Sequence, residues 1–167
     1  PMVRDALPSD ATSMAEINVA GWRTAYVRIV PDDVIARQRP EPLVAYFASD
    51  EAFAGRMRTF VAELDGVVVG FAHMGPLRPE PDEALDACEL WGMYVDPARQ
   101  GHGHGRALMT ATMDHFRSVG CQVAYLWVLR DNAAARGFYE SQGWELDPSA
   151  YRTDPIAQVR YAITTGA

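Results

Sequence analysis

Apolar and polar positions recur along this chain with two different periods, and the switches between them divide it into elements. Residues 3–7 read as a short strand. Pro8, Ser9 and Asp10 supply helix-start chemistry. Ala15, Val19, Trp22, Tyr26 and Ile29 then recur at helical spacing, which predicts a helix over about residues 9–26. Pro31 and Asp32 open another short helix, broken near Pro40 and Pro42, and Leu43, Tyr46 and Phe47 give the second helical region an apolar face. Residues 59–64 read as a strand, Asp65-Gly66 as a two-residue hairpin turn, and residues 67–74 as the returning strand. Residues 75–87, rich in Pro, Glu and Asp, read as a loop. A strand over 88–95 follows, then a helix over 103–119 marked by Ala107, Leu108, Ala111, Met113 and Phe116 and closed by Gly120. Residues 122–129 form an apolar strand suited to burial on both faces. A short helix over 132–141, closed by Gly143, and strands over 144–146 and 158–164 complete the pattern.

This order predicts an α/β (α+β) fold in one domain, residues 2–167, with Pro1 left aside. The sheet is expected to be mixed, mostly antiparallel and twisted, with about six to seven strands, about four flanking helices and one right-handed strand–helix–strand crossover. The 167 residues suffice to bury a core without metal or disulfide staples. Cys88 and Cys121 show neither CxxC spacing nor a disulfide framework, and read as reduced, buried thiols of a cytoplasmic protein. No apolar run is long enough to span a bilayer, and the first residues lack the charged and apolar regions of a signal peptide, so no membrane partner is expected. The net charge of −7 argues against a nucleic-acid partner, which wants a basic face, and suits a cationic acceptor such as an amine.

The candidate chemistry lies between Val95 and Leu108. A strand ends, three glycines alternate in Gly101-His102-Gly103-His104-Gly105, and a helix begins. Glycine permits positive φ and close ligand approach, and a helix N-terminus offers unpaired N–H groups at the positive end of its dipole. Together they make a cradle for a diphosphate, with Arg99 and Arg106 adding charge. A flexible connection without a ligand would use the same residues. The stretch is not a P-loop, because no Gly-Lys-Ser/Thr follows, and its spacing is not that of a dinucleotide-binding turn. His102 and His104 lack the Cys or carboxylate companions of a metal site, so no metal is expected.

Gln100-x-x-Gly103-x-Gly105 matches the Gln/Arg-x-x-Gly-x-Gly/Ala pyrophosphate signature of the GNAT superfamily of N-acetyltransferases, and it follows Tyr94-Val95-Asp96-Pro97, a strand ending common there. The segment from Asn132 to Trp144, with Phe138-Tyr139 in its middle and Gly143 near its end, resembles the superfamily's second block. The likeness covers about residues 89–144, and Trp22, Tyr26 and Pro31 also resemble the N-terminal region of many bacterial members. His104 stands where an aliphatic residue is usual and His102 where Lys or Arg is frequent, but neither change removes a backbone donor.

The resemblance implies acetyl-CoA as acyl donor, a GNAT-like sheet with splayed central strands, and a small-molecule or peptide amine as acceptor. It implies that Gln100, Gly101, His102, Gly103, His104, Gly105 and Arg106 hold the diphosphate. Met93, Tyr94 and Val95 would meet the pantetheine arm, Met93 and Val95 through backbone groups, and Asn132, Phe138 and Tyr139 would also contact the cofactor. Asn132 serves equally as a plain helix N-cap.

Acetyl transfer needs a base for the amine, a donor for the oxyanion and a proton for the leaving thiolate. Glu89 is the candidate base, on the strand before the cradle; its alternative is a simple ion pair with a basic neighbour. It lies roughly 13 Å before Met93 along an extended strand, a gap for water or a long amine. Gly92 suggests a bulge, and the resemblance implies that this bulge frees the Met93 N–H for the thioester carbonyl. Tyr139 is the candidate acid, since a phenol keeps its proton at neutral pH; its alternative is a core aromatic beside Phe138. Trp22 and Tyr26 line the acceptor pocket or simply pack in the core. The acidic residues Glu80, Asp82, Glu83 and Asp86 place charge on the loop that would cover the acceptor. A non-catalytic acetyl-CoA sensor would need neither Glu89 nor Tyr139; a transferase of a longer acyl group, or one acting on a hydroxyl, would be told apart by pocket volume. The resemblance also allows a homodimer.

Overall fold

A computed structural model describes residues 2–78, 86–153 and 156–166. Its element order is β1 (Met2–Asp5), α1 (Ala11–Ala25), α2 (Asp32–Ala36), α3 (Glu41–Phe47), β2 (Arg58–Leu64), β3 (Val67–Gly75), β4 (Ala87–Val95), α4 (His104–Ser118), β5 (Val123–Leu129), α5 (Ala133–Ser141), β6 (Glu145–Arg152) and β7 (Gln158–Thr164), with three short 3₁₀ turns between them. The strands form one sheet in the order β1-β2-β3-β4-β5-β7-β6. Only β4 and β5 run parallel, joined by the α4 crossover. The described helices number five, against about four expected, because prolines split the second helical region in two.

Local chemistry accounts for the elements. Asp10 ties the entry to α1: its carboxylate accepts the Leu7 N–H at 2.8 Å and pairs with Arg4 at 2.7 Å. α1 buries Met14, Ala15, Ile17, Val19 and Gly21 against the sheet. Asp65 and Gly66 both take positive φ, 51° and 78°, as a two-residue hairpin of this type requires. α4 buries Leu108, Met109, Thr112, Met113 and Phe116, and Gly120 closes it at φ 75°. Asn132 caps α5, its side chain accepting the Ala135 N–H at 3.2 Å.

Two cores result. The larger one joins α4 and α5 to one face of the sheet through Leu90, Leu108, Phe116, Leu126, Trp144 and Tyr161. The smaller one joins α1 and α3 to the other face through Met14, Ile17, Phe47, Val61 and Phe71. Cys88 and Cys121 are buried free thiols. No described helix is long and apolar enough to cross a membrane.

Two expectations shift. The strand read at 144–146 is longer, running Glu145–Arg152 through an irregular pairing between Asp147 and Tyr151. The bulge read at Gly92 is present, but the extra residue is Trp91: His73 pairs with Gly92 and Met74 with Leu90.

Candidate active site

β4 and β5 pair only from Ala87↔Val123 to Leu90↔Leu126. Beyond that point both strands continue, β4 to Val95 and β5 to Leu129, without hydrogen bonds to one another. The fork leaves the edge of Met93, Tyr94 and Val95 open on the β5 side, where an extended ligand can add as a strand.

The cradle stands at the end of β4. Asp96 turns the chain by accepting the Ala98 N–H at 2.9 Å. Gly101 and Gly103 sit at φ 79° and 83°, a region costly for side-chain-bearing residues, and no atom lies within 4 Å of where their Cβ would stand. The first helical bond of α4 runs from Ala107 N–H to Gly103 O at 3.0 Å. The main-chain N–H groups of Gly101, Gly103, His104, Gly105 and Arg106 therefore have no acceptor among the described residues. Open space over unpaired donors at a helix start fits a diphosphate.

Side chains complete this loop from within. The Gln100 amide donates to Val95 O at 3.3 Å, and the His102 ring turns onto Gln100 O at 2.8 Å. His104 is buried, its Nδ1 has no partner, and burial lowers its pKa. Its backbone N–H, not its ring, faces the cradle's work. Gly105 lets Phe138 approach: the ring lies 3.5 Å from the missing Cβ, which seats α5 against the start of α4.

Tyr139, one residue on, is partly exposed and its hydroxyl makes no hydrogen bond among the described residues. Burial first, and Tyr94 second, push its pKa up, so it stays protonated. Tyr26 ends α1 with its hydroxyl 3.5 Å from that of Tyr94, and its ring is edge-on to Trp22 at 4.7 Å. Its pKa is raised by burial and then by Tyr94 and Tyr139. The structure thus gathers Tyr26, Tyr94 and Tyr139 at the fork and seats Trp22 behind them.

Glu89 is 1 % exposed and faces the α1 side of the sheet. Both its oxygens are engaged by Arg78: the main-chain N–H at 2.9 Å on Oε2, and Nη2 at 2.7 Å with Nε at 3.3 Å on Oε1. Sequence reasoning did not find Arg78, eleven residues away in the chain. It also missed His73, whose buried ring lies between Thr59 at 2.7 Å and the Tyr46 hydroxyl at 2.9 Å. Burial, then Arg78, pushes its pKa down to about 4, and it is neutral. Of the acidic loop residues, Glu80, Asp82 and Glu83 lie outside the described residues, and Asp86 is exposed ahead of β4.

Comparison with known proteins agrees with this geometry. Residues 19–144 match the acetyltransferase (GNAT) family. The chain is 32 % identical over 164 residues to the uncharacterized N-acetyltransferase YuaI of Bacillus subtilis, covering 96 % of this chain and 84 % of that protein. Its fold is similar to that of the PaiA N-acetyltransferase of Thermoplasma acidophilum in complex with coenzyme A, with a TM-score of 0.77, 17 % identity and 98 % of both chains covered. It is also similar to yncA of Salmonella typhimurium, solved with its cofactor acetyl-CoA, with a TM-score of 0.74, 24 % identity and 98 % and 93 % coverage. With a family match that takes in the fork, the cradle and the helix bearing Tyr139, the chain belongs to the GNAT acetyltransferase family and is an acetyl-CoA-dependent N-acetyltransferase.

Proposed function

We propose that this enzyme moves the acetyl group of acetyl-CoA directly to a primary amine, through a tetrahedral intermediate formed at the fork. The observation that carries the reading is the set of N–H groups from Gly101 to Arg106 without acceptors among the described residues, under open space, beside two strands whose pairing stops at Leu90 and Leu126. The cradle holds the diphosphate, and the open edge of Met93 to Val95 takes the pantetheine arm. Tyr139 gives its proton to the departing thiolate, a role supported by its hydroxyl's lack of a partner among the described residues and by its being protonated at neutral pH.

For Glu89 the geometry favours anchoring Arg78 over proton abstraction, since both carboxylate oxygens are already bonded. The amine then reacts as its free base, and the acidic limb of the rate profile follows the acceptor's own ionisation. Glu89→Gln separates the two roles. A base lost in the variant removes an acidic limb and lowers kcat about 10²–10⁴-fold. A lost anchor chiefly raises the acceptor KM and leaves the limb in place.

Calorimetric titration with acetyl-CoA tests the cradle. Gly103→Ala places a side chain at φ 83°, at a cost of about 1–2 kcal/mol; the free loop sheds this strain by relaxing and takes it up again on binding, so the affinity should fall, by up to about 5–30-fold. Wild-type protein that binds no acetyl-CoA ends the proposal.

A further inference from the structure

The last residues paired across the fork are Leu90 and Leu126. The next residue on each strand is a tryptophan, Trp91 on β4 and Trp127 on β5. Both lie on the face away from α4. Trp91 packs edge-on to His73 with ring centres 5.4 Å apart. Trp127 stands opposite Arg160 in the β5–β7 ladder, on the same side as Tyr125, which is itself opposite Glu89. Each indole carries an arginine. The Arg78 guanidinium lies 4.2 Å from the Trp91 ring, and that of Arg152 lies 3.8 Å from the Trp127 ring. Arg78 arrives just after β3 and Arg152 from the end of β6, so separate elements converge on the two prongs.

The two cations are bonded unequally. Arg78 gives one edge to Glu89, and its Nη1 has no partner among the described residues, with its side chain 45 % exposed. Arg152 is partly buried, yet its guanidinium makes no hydrogen bond and no ion pair among the described residues. Stacking fixes the plane of its guanidinium and leaves the N–H fork free, the geometry that takes a carboxylate bidentately. Arg160 lies beside it, 5.8 Å from Trp127, and is paired with Asp147 at 2.8 Å. Around the two indoles the described residues set three guanidiniums, those of Arg78, Arg152 and Arg160, in a chain of net charge −7.

We propose that the acceptor is a small amino-carboxylate, such as an amino acid, and that Arg152, with the outward edge of Arg78, holds its carboxylate while its amine reaches into the fork. This rests on the acetyl-transfer reading above and narrows its acceptor.

The test uses the whole chain, acetyl-CoA and acceptors matched except for the carboxylate: L-phenylalanine against phenethylamine, L-leucine against isoamylamine, L-methionine against 3-(methylthio)propylamine. Release of free thiol is followed. A kcat/KM at least tenfold higher for the amino acids is expected. Arg152→Gln should raise the amino-acid KM at least fivefold more than that of the paired amine, with Arg152→Lys recovering part of the loss. Calorimetric titration of the CoA-saturated protein with the same pairs gives a readout independent of turnover. Equal or better use of the amines overturns the inference, as does an Arg152→Gln variant with the wild-type ratio. If neither class is bound or acetylated while acetyl-CoA still binds, the inference falls and acetyl transfer stands. If acetyl-CoA does not bind, acetyl transfer falls as well.

Discussion

Changing Gly21 and Gly137 to alanine should move stability in opposite directions, although both glycines lie inside helices. Gly21 is buried in α1, and a Cβ there would stand 2.8 Å from Tyr94 Cδ1 and 3.4 Å from Cε1. The Tyr94 ring is held on other sides: Phe71 stacks on it at 5.6 Å between centres, and the Tyr26 hydroxyl lies 3.5 Å from its own. Gly137 is exposed in α5, and nothing lies within 4 Å of its would-be Cβ. Replacing glycine by alanine in a helix interior gains about 1 kcal/mol at either site. At Gly21 this is set against roughly 1–3 kcal/mol for overpacking, a net loss of about 1 kcal/mol. The two variants should therefore differ by about 2 kcal/mol. At about 2–4 °C per kcal/mol for a domain of this size, Gly137→Ala melts a few degrees above wild type and Gly21→Ala a few degrees below. Thermal melts at matched protein concentration read the difference. Gly21→Ala should also raise the KM for acetyl-CoA, because the ring it displaces belongs to the strand edge at the fork. Equal stabilisation by both substitutions would refute the reasoning, by showing that Tyr94 moves aside at no cost.

Three further outcomes follow from single residues. The His73 pKa lies at about 4, below its ordinary 6.5, so only the unfolded state takes up a proton between those values. Stability is therefore whole above pH 6.5 and lost as pH falls towards 4, by about 2 kcal/mol at pH 5. Urea midpoints from pH 7 to 5 should show this fall, and His73→Gln should flatten it. With the Tyr139 hydroxyl raised above 10 by burial, kcat should show no alkaline loss from that group up to pH 10, and Tyr139→Phe should lower kcat with acetyl-CoA affinity kept; an alkaline limb below pH 10 that vanishes in the variant contradicts this. Asn132→Ala removes the cap of α5 and should cost about 1 kcal/mol in a denaturant melt, with an unchanged midpoint counting against the cap.

What the sequence made legible was local. Asp65-Gly66, the alternating glycines before α4 and the Asn132 start of α5 each act within a few residues, and the structure realises each one. β6 was shortened in the reading because it is a mostly exposed edge strand interrupted by Pro148, so it has no apolar period to reveal it. Gly92 marked the bulge only to within a residue, because the side chain that fills the step, Trp91, is chosen by packing against His73 and Arg78. The Arg78–Glu89 and Arg152–Trp127 contacts were out of reach for a different reason. Their partners are brought together by turns and by strand order, which no periodicity encodes.

The overall charge illustrates the same gap between chain and site. A net −7 pointed to a cationic acceptor, but exposed charges are screened beyond about 8 Å in physiological salt. The carboxylates scattered over the surface therefore shape the approach of a ligand and not its capture. Capture is decided within contact distance, where among the described residues the Arg152 guanidinium has no carboxylate against it and Arg78 spends one edge on Glu89. An acceptor that bears an ammonium and a carboxylate on neighbouring atoms satisfies both scales. In the proposed binding mode the acidic surface would favour its cationic end during encounter, and the arginines on the two indoles would favour its anionic end at the fork. A simple amine would gain from the first field and lose from the second.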